Sequence, residues 1–121
     1  MSDLAKLRIR ERGTVVMAAV EGEVDLSNKD RLTAELTRSV ANSSTGLMLD
    51  LSGLEFLDSS GVHMLYELAE RLANRQQRYA VVLPPNRPPR RAIELSGVEP
   101  AGWLHADTAS ALAALGGETP S

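Results

Sequence analysis

Hydrophobic and polar positions change period along this chain, and the changes outline its elements. Leu7 to Glu11 and Thr14 to Val20 read as two short strands, with Gly13 as the turn residue of a hairpin. The stretch Val15-Val16-Met17-Ala18-Ala19-Val20 is apolar on both faces, as a central strand would be. Gly22-Glu23-Val24-Asp25 then carries the chain into a helix, for which Ser27 is the expected N-cap and Asp30 approximates a capping box. Leu32, Leu36 and Val40 recur at i, i+4 and i+8 and mark its buried face. The polar run Asn42-Ser43-Ser44-Thr45-Gly46 ends it, and Leu47 to Leu51 follows as a strand.

Ser52-Gly53 marks a turn, and Phe56-Leu57 lead into Asp58-Ser59-Ser60-Gly61, where a second helix starts and runs to Arg75. Val62, Leu65, Ala69, Leu72 and Ala73 form its core stripe. Ser60, Met64, Glu67 and Arg71 fall on the other side, so Met64 is expected to stand outside the core. Tyr79 to Leu83 reads as a strand, Arg90 to Leu95 as a short helix stopped by Ser96-Gly97, and Trp103-Leu104-His105 as an edge strand. Thr108 to Leu115 is a last helix capped by Gly116-Gly117, and residues 117–121 are expected to be a disordered tail. No internal repeat or long linker divides residues 1–116. Strands alternating with helices imply a single α/β domain, a mixed central sheet with helices packed mainly on one face and right-handed crossovers.

Composition narrows the chemistry. The 121 residues contain no cysteine, which removes disulfides, thiolate metal sites and a catalytic thiol, and with only two histidines, His63 and His105, a closed structural zinc site is not expected. Thirteen basic against sixteen acidic residues leave a net charge of −3, which argues against nucleic acid as a direct partner. Phe56, Tyr66, Tyr79 and Trp103 are too scattered for a base-stacking platform. The longest apolar run, Val15 to Val20, falls far short of the ~20 residues of a membrane-spanning helix. Asp3, Lys6, Arg8 and Arg10 interrupt any signal-peptide core, so a soluble cytoplasmic domain is expected, with no membrane insertion. Phosphate-cradling glycine loops and a nucleophile elbow are missing from the sequence, and no cofactor is expected. Asp58, Ser60 and His63 have the composition of a hydrolytic triad but no evident oxyanion hole, and the chain is not read as an enzyme.

Asp58-Ser59-Ser60-Gly61 lies where a strand-like segment becomes a helix. Ser and Asp serve there as ordinary helix caps, because their oxygens accept backbone N–H bonds. The same place also tolerates a phosphoryl group, since free N–H groups and the positive dipole end face it. Such a group adds roughly −1.5 to −2 charges, enough to repel a partner docked on that surface.

Gly22-Glu23-Val24-Asp25, Leu49-Asp50-Leu51-Ser52-Gly53-Leu54, Phe56-Leu57-Asp58-Ser59-Ser60-Gly61-Val62 and Ala92-Ile93-Glu94-Leu95-Ser96-Gly97-Val98 together resemble the STAS domain, and within it the bacterial anti-sigma-factor antagonists. The resemblance runs from about Leu7 to Leu115. It implies a protein that binds an anti-sigma factor with serine kinase activity and a histidine-kinase-like ATPase fold, thereby releasing a sigma factor. It further implies that phosphorylation of Ser60 abolishes binding and that a serine phosphatase restores it. Asp58 and Asp25 would position the serine or the kinase's groups, or simply cap and turn the chain; Ser59 is a secondary site or a cap. On this reading the partner surface comprises Asp25, Asp58, Ser59, Met64, Glu67 and Arg71. The alternative is a non-switching STAS scaffold or subunit in a larger signalling or transport assembly.

The chain departs from the family pattern at Pro84-Pro85-Asn86-Arg87-Pro88-Pro89-Arg90-Arg91, which holds four of its six prolines. A stiffer loop and a shorter helix are expected here. Arg87, Arg90 and Arg91 are expected to be solvated or to meet an acidic partner.

Overall fold

The computed structural model describes residues 4–96 and 102–116. Strand β1 (Ala5–Arg12) turns at Gly13-Thr14 into β2 (Val15–Val24), and the two pair antiparallel. Helix α1 (Lys29–Ser39) leads to β3 (Gly46–Asp50), which lies parallel to Val15–Ala19 of β2. After a turn, β4 (Leu54–Leu57) adds to the far end of the same strand, parallel to Gly22–Val24. The remaining elements are α2 (Ser59–Asn74), β5 (Arg78–Val82), α3 (Pro88–Leu95), β6 (Leu104–His105) and α4 (Thr108–Ala114). They complete a six-stranded mixed sheet in the order β1-β2-β3-β5-β6, with β4 paired to β2. The expected stop at Gly97, the cap at Gly117 and the tail 117–121 lie outside the described residues.

The double-sided apolar pattern of β2 has a direct cause. Val16, Ala18 and Val20 face the main core, where Leu32 and Leu36 of α1, Leu65, Leu68 and Leu72 of α2 and Ile93 of α3 are buried. Met17 faces the other side, with Met48, Ala80 and Val82, under Ala111 and Leu115 at α4. Three helices therefore cover one face and the short α4 covers part of the other. Tyr79 closes the main core near β6: its phenol donates to the Leu65 carbonyl at 2.9 Å, and its ring lies 5.2 Å from that of Trp103. Burial pushes the Tyr79 phenol well above its ordinary pKa, because the phenolate would lose its hydration.

Several elements differ from the sequence reading. β2 continues through Gly22-Glu23-Val24, read as a turn, because β4 is there to pair with it. The start of α1 is Lys29, and Asn28 rather than Ser27 precedes it, with no side-chain cap bond. Ser27 is unavailable as a cap because its hydroxyl donates to the Asp25 carboxylate at 2.6 Å. α3 begins at Pro88, two residues earlier than expected. Prolines at its first two positions lack N–H groups that would have no intrahelical partner anyway, and Arg87 before them is extended, as a residue preceding proline should be. The arginines here are not simply solvated. Arg87 donates to the Leu54 carbonyl at 2.9 Å and Arg90 to the Leu83 carbonyl, tying α3 to the strand ends, while Arg91 is exposed.

Helix α2 departs most. Val62, Leu65 and Leu72 are buried as expected, but Ala73 is exposed and Met64, expected outside, is 0% exposed. At about 100° per residue, Leu68 and Met64 widen the buried arc on the side away from Ala73. α1 packs along that side: Lys29 of α1 approaches Glu67 at 3.6 Å and Arg71 reaches Thr37 at 3.5 Å. Met64 is thus a core residue and not a docking contact. Met64→Ala is expected to lower the unfolding free energy by about 2–5 kcal/mol in a urea titration, whereas an exposed methionine would change it by less than about 0.5 kcal/mol.

Candidate functional site

The Asp58-Ser59-Ser60-Gly61 segment is built by the junction of β4 and α2. The last ladder pair, Val24 with Leu57, is followed by a bond from the Asp58 N–H to the Val24 carbonyl at 3.2 Å. Asp58, extended at φ −92° and ψ −175°, then caps α2, its carboxylate accepting the Gly61 N–H at 3.0 Å and its carbonyl the Val62 N–H at 3.0 Å. Gly61 allows this helix start to press against the sheet: a Cβ there would come within 2.3 Å of a Leu57 methyl and 3.0 Å of a Val24 methyl. Gly22, at φ +98°, does the same for β2, since a Cβ would meet the Leu4 carbonyl oxygen at 2.1 Å. Gly22 and Gly61 are therefore both close-approach positions.

The turn that leaves Val24 stands beside this helix start. Asp25 accepts from the Ser27 N–H at 2.9 Å and the Ser27 hydroxyl at 2.6 Å. Asn28 locks the turn: it accepts the Asp25 N–H at 3.0 Å and donates to the Glu23 carbonyl at 2.9 Å, and it is 7% exposed. Leu26, between the two acidic and polar anchors, projects outward and is 71% exposed. Neither residue was singled out from the sequence. Leu26 carried a signal, an apolar side chain inside the polar run Asp25-Leu26-Ser27-Asn28; Asn28 carried none, since its partner is a strand carbonyl five residues back.

Ser60 occupies the second position of α2 and is half-buried; Ser59 before it is exposed. Among the described residues, the Ser60 hydroxyl has no hydrogen-bond partner. Asp25, Asp58, Ser59 and Ser60 are thus gathered at one end of the sheet. Glu67 and Arg71 sit farther along α2 and are engaged with each other at 2.9 Å, Glu67 also reaching Lys29 of α1. His63 lies 3.9 Å from Glu67, and no hydrogen bond joins it to Ser60 or Asp58 among the described residues. His105 contacts the Ser110 hydroxyl at 2.8 Å.

The fold and this helix start define a small mixed α/β domain that presents a serine at a helix N-terminus. The STAS domain model matches residues 6–111, and the chain belongs to that family. The curated anti-sigma-F factor antagonist RsfB of Mycobacterium tuberculosis is 29% identical over 97 residues, 80% of this chain and 78% of that protein. An anti-sigma factor antagonist from Mycobacterium paratuberculosis, solved by crystallography, superposes with a TM-score of 0.79 at 29% identity, covering 92% of this chain and 93% of that one. The Bacillus cell fate determinant SpoIIAA in its phosphorylated form shares the fold, with a TM-score of 0.61 at 21% identity over 85% of this chain and 92% of that one. No helix among the described residues is long and apolar enough to cross a membrane.

Removing the Asp58 carboxylate leaves the Gly61 N–H without its acceptor. Asp58→Ala should destabilise the domain by about 1 kcal/mol in denaturant unfolding, and Asp58→Ser should recover most of that loss.

Proposed function

We propose that this chain is an anti-sigma factor antagonist whose binding is switched by phosphorylation of Ser60. The observation that carries the reading is the placement of Ser60: second in α2, with a hydroxyl engaged by no described residue, beside the Asp58 cap and the Leu26 turn. Membership of the STAS family and relatives named as anti-sigma factor antagonists support it. The partner is an anti-sigma factor with serine kinase activity and a histidine-kinase-like ATPase fold; its capture by the unmodified chain releases a sigma factor. A serine phosphatase resets the chain, which itself performs no catalysis.

In this mechanism the exposed Leu26 and the hydroxyl end of α2 form the contact, with Asp25, Asp58 and Ser59 at its rim. Leu26 supplies the apolar anchor in place of the buried Met64. Glu67 and Arg71 hold α2 against α1 and border the surface. Transfer of a phosphoryl group to Ser60 places roughly −1.5 to −2 charges next to the Asp25 and Asp58 carboxylates. The helix N-terminus accommodates that charge, so the fold is retained, while a partner pressed against the same spot is repelled.

The test is affinity capture from cells that encode the chain, with wild-type, Ser60→Ala and Ser60→Asp forms as bait, followed by kinase assay of the captured protein. Wild type and Ser60→Ala should recover an ATPase-fold kinase, and Ser60→Asp should bind it at least tenfold more weakly, a difference of about 1.4 kcal/mol. The kinase should label wild type on Ser60 and leave Ser60→Ala unlabelled. Equal recovery of the same proteins by all three baits would instead identify a non-switching STAS scaffold.

A further inference from the structure

The strand at the sheet edge farthest from β6 carries a second feature unconnected with Ser60. Along β1, Lys6, Arg8, Arg10 and Arg12 alternate with Leu7, Ile9 and Glu11. Successive strand residues point to opposite faces, so the four cations form one row, on the side of the sheet that bears Met17 and Met48. At ~3.3 Å per residue the row is roughly 20 Å long. Arg8 pairs with Glu21 on β2, whereas Lys6, Arg10 and Arg12 have no ion-pair partner among the described residues. All four are exposed, in a chain whose net charge is −3.

Three further observations belong to the same place. β1 is the terminal strand in the sheet order, and no described element pairs with its outer side. Ile9 is 42% exposed on the opposite face of the strand, next to half-buried Leu7. Beside the cation row the sheet face is left open by α4, as a groove of about 600 Å³ over Met17, Ala19 and Met48 with Arg8 and Arg10 on its rim. Asp50, at the far side of that groove, is already engaged by the Ser52 N–H at 2.9 Å and the Ser52 hydroxyl.

We infer that the outer edge of β1 is a docking site for an extended, acidic segment of a protein partner, which adds to the sheet as a further strand. A strand laid beside β1 places its own same-face side chains at the same ~6.6–6.8 Å repeat as the cations. Carboxylates at alternate positions therefore meet Arg8, Arg10 and Arg12, and the intervening apolar side chains meet Leu7 and Ile9. Main-chain bonds to the unpaired edge supply affinity, and the charge row supplies selectivity. A second copy of this chain does not fit, because β1 against β1 brings like charges face to face. A nucleic acid would meet the row too, but it offers no strand main chain to pair with the open edge of β1.

The experiment uses the full chain and the synthetic peptide acetyl-Glu-Val-Glu-Ile-Glu-Val-Glu-amide, followed by amide chemical shifts and calorimetry. Saturable, salt-weakened binding with shifts centred on Leu7 to Arg12 is expected. R10E/R12E should weaken it at least tenfold with an unchanged thermal melt, R10Q/R12Q should fall between, and Ser60→Asp should leave it unaltered. A peptide with lysine in place of glutamate should prefer R10E/R12E over wild type. No saturable shift along β1, equal binding of a block-ordered peptide of the same composition, self-association through β1, or tighter binding of oligothymidylate to the same row would each overturn the inference.

Discussion

The parallel pairing of Val24 with Leu57 is the junction on which the rest of the molecule turns. It ends two strands at the same level, and the Asp58 N–H bond to the Val24 carbonyl closes the ladder there. From that point one chain segment leaves into the Asp25–Asn28 turn and the other into α2, so both start side by side. The contact works only with glycine at position 61, because a Cβ would overlap Leu57 and crowd Val24. Close approach in turn lets α2 lie along the sheet, where Leu65, Leu68 and Leu72 become fully or almost fully buried. Site geometry and core packing are therefore consequences of the same few atoms.

Charge is distributed over this scaffold in two ways. Between α1 and α2, Lys29, Glu67, Arg71 and Thr37 form a connected set of polar contacts. Lys29 and Glu67 are half-buried and Arg71 is exposed, and pairs that water still reaches contribute little, about 0–1 kcal/mol each, so their effect is to set the relative orientation of two helices already held by Leu32, Leu36, Met64 and Leu68. On one face of β1 the charges, Lys6, Arg8, Arg10 and Arg12, are all positive and only Arg8 is paired, while Glu11 lies on the opposite face. That arrangement adds nothing to the core, and it prevents the edge strand from pairing with its own copy.

Much of the fold was legible in local pattern. Leu32, Leu36 and Val40 located one buried face, and Val15 to Val20 identified a strand covered on both sides. What escaped was non-local. The segment before Asp58 read as strand-like, but β4 is four residues long with Glu55 and Phe56 exposed and shows no alternation, so its pairing with the end of β2 was not legible. Met64 was misplaced because a helical wheel assumes one buried stripe, whereas α2 is buried against both the sheet and α1. At the candidate site, Asp58 as cap and Ser60 at the helix start followed from residue type and spacing. The roles of Asn28, Arg87 and Arg90 did not, since each is defined by a backbone carbonyl contributed by another part of the chain.

The position of Ser60 also constrains how a modification there would be read. The hydroxyl makes no hydrogen bond to the described residues, so phosphorylation there would break no internal hydrogen bond. Near the first turn, a negative group interacts favourably with the helix dipole by roughly 0.3–1 kcal/mol, partly offset by the nearby Asp58 carboxylate. The folded state is thus close to indifferent to the added charge, and a switch based on unfolding or rearranging α2 has no energetic source in these contacts. A docked surface is not indifferent: like-charge juxtaposition in a desolvated interface costs several kcal/mol. A phosphoryl group on Ser60 would therefore act on the occupancy of the site rather than through the hydrogen bonds that hold α2 in place.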